Sequence, residues 1–227
     1  ATELDEDDPA RTGAAKRRQL NELHNVTTSL RHIADGVIAT GLPLGGKPGK
    51  ALNEAYENLR VAVTEAHAAS PSGAAKTEWL DGIVTRGLTP EVPTDYDRWR
   101  PLHWVLEAPD VVVDRGGFDA IIGNPQFLGG TKIPGALGAD VHTWLGNQVG
   151  SLGKGKADIV AFFFIRALSL LSNRGGTLGL IATNSIGQGD TREMSLDVMV
   201  SSGFEITRSI QSELWPSSGA NIQYAAV

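Results

Sequence analysis

The sequence predicts an α/β protein in which a helical segment precedes a mostly parallel β-sheet. In the first hundred residues, apolar side chains recur at steps of three and four, which place them on one face of a helix. Beyond Gly116, short apolar runs alternate with helical patterns, as is typical of strand–helix–strand units. The strand-like runs are apolar throughout, which favours parallel strands covered on both faces.

Three helices are predicted in the first part of the chain. The first begins at Asp8-Pro9 and carries a stripe formed by Leu20, Leu23, Val26, Leu30, Ile33 and Val37. The glycine-rich segment 41–50 ends it. The next two helices have apolar faces formed by Leu52, Tyr56, Leu59 and Val63, and by Trp79, Leu80, Ile83 and Val84. A proline-rich connection, 89–101, then ends this part, so we predict a helical segment with an acidic tail over residues 1–100.

Residues 101–227 form the predicted α/β region. Its predicted strands are 118–125, 177–185, 205–214 and 220–227, and we expect the strand at 118–125 to be buried. Its predicted helices are 157–176 and 191–204. The last strand ends abruptly in apolar residues, which suggests that the chain is a fragment.

Composition excludes several kinds of chemistry. The 227-residue chain contains no cysteine, which excludes disulfides, thiolate ligands and a cysteine nucleophile, and which suits a cytoplasmic protein. No apolar run approaches the roughly 20 residues of a membrane span, so no membrane association is expected. The net charge is −6, but five acidic residues lie within the first eight, so the rest is nearly neutral. Any DNA substrate would therefore be held largely by other regions.

Two further patterns point away from nucleotide hydrolysis and from metal binding. The segment "GSLGKGKA" resembles a phosphate-binding P-loop, but Ala157 stands where a Ser or Thr would have to hold magnesium. The segment before it is also a poor buried strand. The histidines, which are His24, His32, His67, His103 and His142, show no ligand pair at helical spacing beside a carboxylate, so surface or capping roles are expected.

The segment "IIGNPQFLGG", residues 121–130, predicts a binding site. Parallel sheets bind ligands at the carboxyl ends of their strands, which is where Asn124 falls. Pro125 holds Asn124 away from helical geometry, and Phe127 adds a flat apolar face. Acceptors beside a ring suit a planar group with an NH2, such as the amino edge of adenine. The alternative from these residues alone is a strand-ending turn followed by a core phenylalanine.

Several segments in order resemble the second half of a DNA adenine-N6 methyltransferase. They are "GGFDAIIGNPQF", "KADIVAFFFIRALSLL", "RGGTLGLIATNS" and "GANIQYAAV", with "PLHWVLEAPDVV" as a lead-in. The resemblance is to the large adenine methylases of restriction-modification and phage-defence systems, whose hallmark is Asn-Pro-Pro-Tyr/Phe. It covers about residues 101–227 and implies part of a class I, Rossmann-like methyltransferase fold.

The resemblance also implies a chemistry. The methyl donor would be S-adenosylmethionine and the substrate double-stranded DNA, with the target adenine flipped out. The side-chain oxygen of Asn124 and the carbonyl of Pro125 would accept the amino hydrogens, and Phe127 would stack on the base. Phe163 matches the position that packs on the cofactor, with a core role as the alternative. Asn184 could line the pocket or serve a structural turn.

Two departures keep other functions open. The family's glycine-rich cofactor loop is absent, since "GLPLGGKPG" lies between helices, so cofactor-binding and target-recognition regions are expected outside this chain. Gln126 replaces the usual second proline. A degenerate, non-catalytic methylase domain that scaffolds a defence complex is therefore one alternative. A protein-glutamine methyltransferase is another, although the long connection between Phe127 and Ala157 favours the DNA enzyme.

Overall fold

A computed structural model describes residues 9–67, 76–149, 156–172, 174–215 and 223–227. It confirms the predicted order, with helices first and a mixed α/β region second. Residues 150–155 of the P-loop-like segment lie outside the described residues. Among the residues that are described, no helix combines the length and apolar character needed to cross a membrane.

The first part contains the three predicted helices, which are α1 (Pro9–Gly41), α2 (Lys50–His67) and α3 (Glu78–Leu88). They share a core of small and branched apolar residues, formed by Ala39, Leu59, Ala62, Ala66, Leu80, Val84 and Leu88. The apolar stripe of α1 is only partly used, because Leu20, Leu23, Leu30 and Val37 are exposed. The packing of α1 is therefore concentrated in its carboxyl-terminal part.

Helices α1 and α3 come into direct backbone contact at Gly87. A Cβ atom built on Gly87 would lie 1.9 Å from the carbonyl oxygen of Ala39, a distance that no side chain can occupy. The contact is close because Gly87 and Ala39 bring the smallest residues of their helices to the crossing point. Glycine is thus required here by space, although it weakens a helix intrinsically.

A short helix connects the first part to the sheet. It is α4 (Trp104–Glu107), followed by a π-helical turn at Asp110–Asp114. His103 Nε2 lies 2.8 Å from Asp35 Oδ1 on α1, and Glu107 forms an ion pair with Arg31. The predicted proline-rich connection before α4 is irregular, as expected.

The sheet has four strands within the described residues, in the order β1–β2–β4–β3. They are β1 (Ala120–Gly123), β2 (Thr177–Ala182), β3 (Ile210–Leu214) and β4 (Gln223–Ala226). The β1–β2 pair is parallel, whereas β4 runs antiparallel to both of its neighbours. β1, β2 and β3 therefore run in one direction. Because β4 lies between β2 and β3 and runs the opposite way, only the β1–β2 pair is parallel, and the prediction of a mostly parallel sheet is corrected to a mixed sheet.

The prediction that residues 118–125 form a buried strand is wrong for most of β1. Ile121 packs against the core, but Ile122 on the opposite face is 85% exposed. In the part of the chain that the structure describes, β1 lies at the edge of the sheet and pairs only with β2. Apolar sequence alone could not reveal this exposure, since it depends on which neighbours cover the strand.

The remaining helices are α5 (Ile133–Leu137), α6 (Ala139–Gln148), α7 (Ile159–Leu168), α8 (Gly189–Met194) and α9 (Leu196–Ser201). The packed face of the sheet meets α7 and α9 in a core formed by Val160, Phe164, Ala167, Leu180, Ala182, Ile186, Met199 and Ala225. Most of this core is aliphatic. Its largest side chain is that of Phe164, which is fully buried.

Two predicted helices differ from those observed. α7 ends at Leu168, well before the glycines, because Leu171 turns to form a parallel bridge with Phe118. The predicted helix 191–204 is divided into α8 and α9 at Ser195. The buried hydroxyl of Ser195 donates to the carbonyl oxygen of Thr191 at 2.6 Å, a bond that bends helices.

We expect Gly87→Ala to lower the free energy of unfolding by about 1–3 kcal/mol, because the added methyl group must separate α1 from α3. Gly82→Ala in the same helix is the matched control. There the nearest atom is the flexible end of Arg86, so the helix preference for alanine should leave stability unchanged or raise it by up to about 1 kcal/mol. Chemical denaturation measures both, and equal stabilities of the two variants would contradict the proposed contact.

Candidate active site

Asn124 lies directly after the carboxyl end of β1, beside the parallel neighbour β2. Gly123 is in register with Leu180, so the ends of the two strands meet at one edge of the sheet. Residues 124–129, here called the Asn-Pro loop, have no regular secondary structure. Asn124 is exposed, and its side chain forms no hydrogen bond with any residue that the structure describes. Its amide is therefore available to a ligand.

Two aromatic side chains that were predicted to act in the site are accessible. Phe127 in the Asn-Pro loop is 37% exposed, and Phe163 on α7 is 43% exposed. The flanking Phe162 and Phe164 are both buried in the core. The alternative interpretation of Phe163 as a core residue is therefore wrong. Pro125 is half-buried, and Gln126 is exposed.

The far end of the Asn-Pro loop is attached to the start of α7 by two hydrogen bonds at Leu128. The Leu128 N–H group donates to Asp158 Oδ1 at 3.3 Å, and Ile159 N–H donates to the Leu128 carbonyl at 2.9 Å. Just beyond, a Cβ atom on Gly130 would lie 2.4 Å from the carbonyl oxygen of Lys156. The backbone after the loop thus lies against the backbone that leads into α7.

Asp158 connects three segments of the site. Its side chain caps α7 by accepting from Val160 N–H at 3.1 Å, and Ser185 Oγ, after β2, donates to Oδ2 at 3.4 Å. Its own N–H donates to Thr191 Oγ1 at 3.1 Å. Asp158 was not among the site residues predicted from the sequence. An aspartate directly before an apolar helical run is a recognisable N-cap signal, but contacts with Leu128 and Ser185 cannot be read from it.

Asn184 has a structural role at the same edge of the sheet. Its Nδ2 donates to Gln223 Oε1 at 3.3 Å, and its Oδ1 accepts from Ser212 N–H at 3.0 Å. Ser212 has a positive φ of 58° within an irregular part of the β3–β4 pairing. The amide of Asn184 thus supports an irregular strand.

The glycine-rich segment after α1 contacts α6. Asn147 Nδ2 donates to the Gly45 carbonyl at 2.8 Å, and Gln148 Nε2 donates to the Gly46 carbonyl at 2.7 Å. Its carbonyl oxygens therefore bind side chains of the insertion that follows the Asn-Pro loop.

Glu91 ties the proline-rich connection to the amino-terminal end of α6. Its Oε2 accepts from Ala139 N–H at 2.8 Å and from Asp140 N–H at 3.1 Å. The bond from Asp140 N–H lowers the pKa of the Glu91 carboxyl group, whereas burial raises the pKa of Asp140. The ionised Glu91 is the form that accepts both N–H groups.

Two histidines in the described regions have carboxylate partners. His32 Nε2 lies 3.1 Å from Asp81 Oδ1, and His103 is paired with Asp35. Across those regions, no group of three or more His, Asp or Glu side chains could hold a metal ion. Of the P-loop-like segment, which is not expected to bind a nucleotide, the structure describes Lys156 and Ala157, and these residues lead into α7.

Comparison with known protein families shows which family the chain matches. The sequence model of the family described as "MmeI, DNA-methyltransferase domain" matches residues 57–227, a range that begins inside α2 and continues to the end of the chain. No curated protein and no solved structure matches the chain. The matched range includes β1, the Asn-Pro loop, α7 and β2, and it covers well over half of the sequence. The chain therefore belongs to the family of the MmeI DNA-methyltransferase domain.

Proposed function

We propose that this chain forms part of an enzyme that transfers a methyl group from S-adenosylmethionine to the amino group of adenine in double-stranded DNA. The observation that carries the proposal is the exposed amide of Asn124 directly after β1, which forms no hydrogen bond with the described residues and lies three residues before the accessible ring of Phe127. Membership of a DNA-methyltransferase family supports DNA as the substrate. It also favours DNA over a protein glutamine, which was the alternative amide substrate.

The proposed chemistry uses two hydrogen-bond acceptors. The lone pair of the adenine amino nitrogen is delocalised into the ring, which makes this nitrogen a poor nucleophile. The Asn124 side-chain oxygen and the Pro125 carbonyl would accept its two hydrogens and direct the lone pair at the methyl group. Phe127 would stack on the flipped-out base, an interaction typically worth about 1–3 kcal/mol. Direct transfer needs no covalent intermediate, in keeping with the cysteine-free sequence.

Phe163 is the candidate cofactor contact in this proposal. It is exposed on α7, whose first turn is hydrogen-bonded to the Asn-Pro loop through Leu128. S-adenosylmethionine would supply the methyl group when bound. The described residues contain no glycine-rich turn after a buried strand, so we propose that other regions complete the cofactor site and recognise the target sequence.

The side of β1 that has no neighbouring strand in the described sheet is where we propose that the additional structure would pack. In the described sheet, β1 has a neighbour on one side only, and Ile122 is exposed on the open face. A further strand and a covering helix would complete a Rossmann-like sheet and place a cofactor at the carboxyl ends of its strands. The parallel β1–β2 pair, connected through α7, supports this proposal, because strand–helix–strand units of this kind build that fold.

A non-catalytic scaffold within a restriction-modification or phage-defence complex is the second candidate. Gln126 favours it, since the family hallmark has proline at this position. The exposed side chain of Gln126 nevertheless leaves Asn124 and Pro125 in place. We therefore interpret the glutamine as a loss of rigidity in a working site.

We expect this chain by itself to bind S-adenosylmethionine weakly or not at all, because the described residues offer only the α7 side of a cofactor site. Titration calorimetry at micromolar cofactor should show no saturable heat. A tight, stoichiometric isotherm would contradict the proposal that other regions complete the site.

In the intact enzyme, Asn124→Ala should slow methyl transfer by about 10²–10³-fold, the usual effect of removing one hydrogen-bonding group from a reaction centre. DNA affinity should change less than about two-fold, because phosphate contacts made elsewhere dominate it. Asn53→Ala on α2, which removes an equally exposed amide far along the chain, is the control. Single-turnover methylation and gel-shift titration measure the two effects, and full activity of Asn124→Ala would exclude the catalytic role.

Gln126→Pro tests whether the glutamine costs only rigidity. A compatible change to proline is worth about 0.4–1 kcal/mol of backbone ordering. If all of this appeared in the barrier, the methylation rate would rise by roughly two- to five-fold, with sequence specificity unchanged. The single-turnover rate at saturating cofactor and DNA is the measurement. An inactive parent enzyme would instead support the scaffold interpretation.

A further inference from the structure

Asp158 is a buried carboxylate whose described partners are N–H and O–H groups. It is 7% exposed, and none of the ion pairs described for this chain includes it. Burial of a carboxylate is costly unless hydrogen bonds compensate for the lost water. A serine at this position could cap α7 by accepting from Val160 N–H alone. The longer side chain of Asp158 lets it bind further partners in addition to Val160 N–H.

The first of those partners is the Asn-Pro loop. Asp158 Oδ1 accepts from both Leu128 N–H and Val160 N–H, so a single oxygen joins the end of the loop to the first turn of α7. The neighbouring bond from Ile159 N–H to the Leu128 carbonyl fixes the other side of the same peptide segment. Leu128 is thus held through both of its backbone polar groups.

The second partner lies beyond β2. Ser185 Oγ donates to Asp158 Oδ2 and also lies 2.6 Å from Thr183 Oγ1. The carboxylate therefore bonds to the segments that follow both strands of the parallel pair. These are the two segments that meet at the edge of the sheet where Asn124 is located.

The Asn-Pro loop has two anchors. At one end, the pairing of Gly123 with Leu180 fixes the start of the loop, and at the other end Leu128 is bound by Asp158 and Ile159. Between these anchors, the side chain of Asn124 has no described hydrogen bond that would hold it. Its position depends on the anchors.

We propose that Asp158 is a positioning residue, whose carboxylate holds the Asn-Pro loop against α7 and the segment after β2 and so places Asn124 and Phe127. This inference rests on the methyl-transfer function proposed above. The transfer requires the amino nitrogen to be aligned with the methyl group, and a displacement of about 1 Å can cost roughly 100-fold in rate. Asp158 acts through the loop and does not touch the substrate.

Hydrogen exchange of the chain without cofactor or DNA tests the anchoring directly. Asp158→Ala should raise exchange of the Leu128 amide about ten-fold or more, because it removes the bond from this N–H group to a charged acceptor. Asp158→Asn should restore protection, since its single amide oxygen can accept from both N–H groups. Thr191→Val is the matched control. It removes the acceptor of Asp158 N–H from the same buried cluster but leaves the carboxylate bonds intact.

Methylation by the intact enzyme tests the consequence. Relative to Thr191→Val, Asp158→Ala should slow single-turnover transfer by roughly 10–100-fold, with the DNA dissociation constant unchanged within about two-fold. Asp158→Asn should remain within about three-fold of the parent rate, as expected of a group that positions the loop without reacting.

The outcomes separate this inference from the function on which it rests. Unchanged exchange of the Leu128 amide in Asp158→Ala would overturn the positioning role whatever the activity. Faster exchange with the rate of the Thr191→Val control would overturn it too, because the loop position would not matter. If the parent enzyme transfers no methyl group, the proposed function fails, and the exchange data alone decide whether Asp158 anchors the loop.

Discussion

The parallel pairing of β1 with β2 is the constraint on which the arrangement of the site depends. Both strands end at the same edge of the sheet, so residues more than fifty positions apart in the sequence become neighbours there. The chain must return through α7 to reach β2 in the same direction, because two parallel strands cannot be joined by a tight turn. The start of α7 is consequently brought beside the Asn-Pro loop, and Asp158 at its N-cap can bind both segments.

The sequence predicted those features that depend on local patterns. The three amino-terminal helices, the order of the four strands along the chain and the position of Asn124 after β1 follow from periodicity, glycine and proline. The exposure of Ile122 and the reversed direction of β4 did not follow. Both depend on which strands become neighbours, and a continuous apolar run in the sequence does not identify the neighbours of a strand. The interruption at Ser195 also escaped prediction, since it depends on a buried side-chain bond.

Within the candidate site, the residues proposed to act in catalysis could be named from the sequence, whereas the residue that supports them could not. Asn124, Pro125 and Phe127 form a short contiguous motif, whereas Asp158 meets Leu128 across thirty residues. The role of Phe163 could not be decided from three adjacent phenylalanines, because helical spacing does not say which of them faces solvent. The structure distinguishes them by burial. Family membership then supplies the chemical context that geometry lacks, namely methyl transfer to DNA.

The open side of β1 has a consequence for the handling of this chain. An edge strand with free backbone N–H and C=O groups is a template on which another strand can add, and natural proteins usually protect such edges with charges, prolines or short bulges. In the described sheet β1 is such an edge strand, and its four residues, Ala-Ile-Ile-Gly, include no charge and no proline, while Ile122 adds exposed apolar surface. Concentrated samples of the chain are therefore expected to self-associate through strand addition. Mild denaturant should disperse such aggregates. A charged residue introduced near β1 should do so more readily than a substitution in the amino-terminal helices.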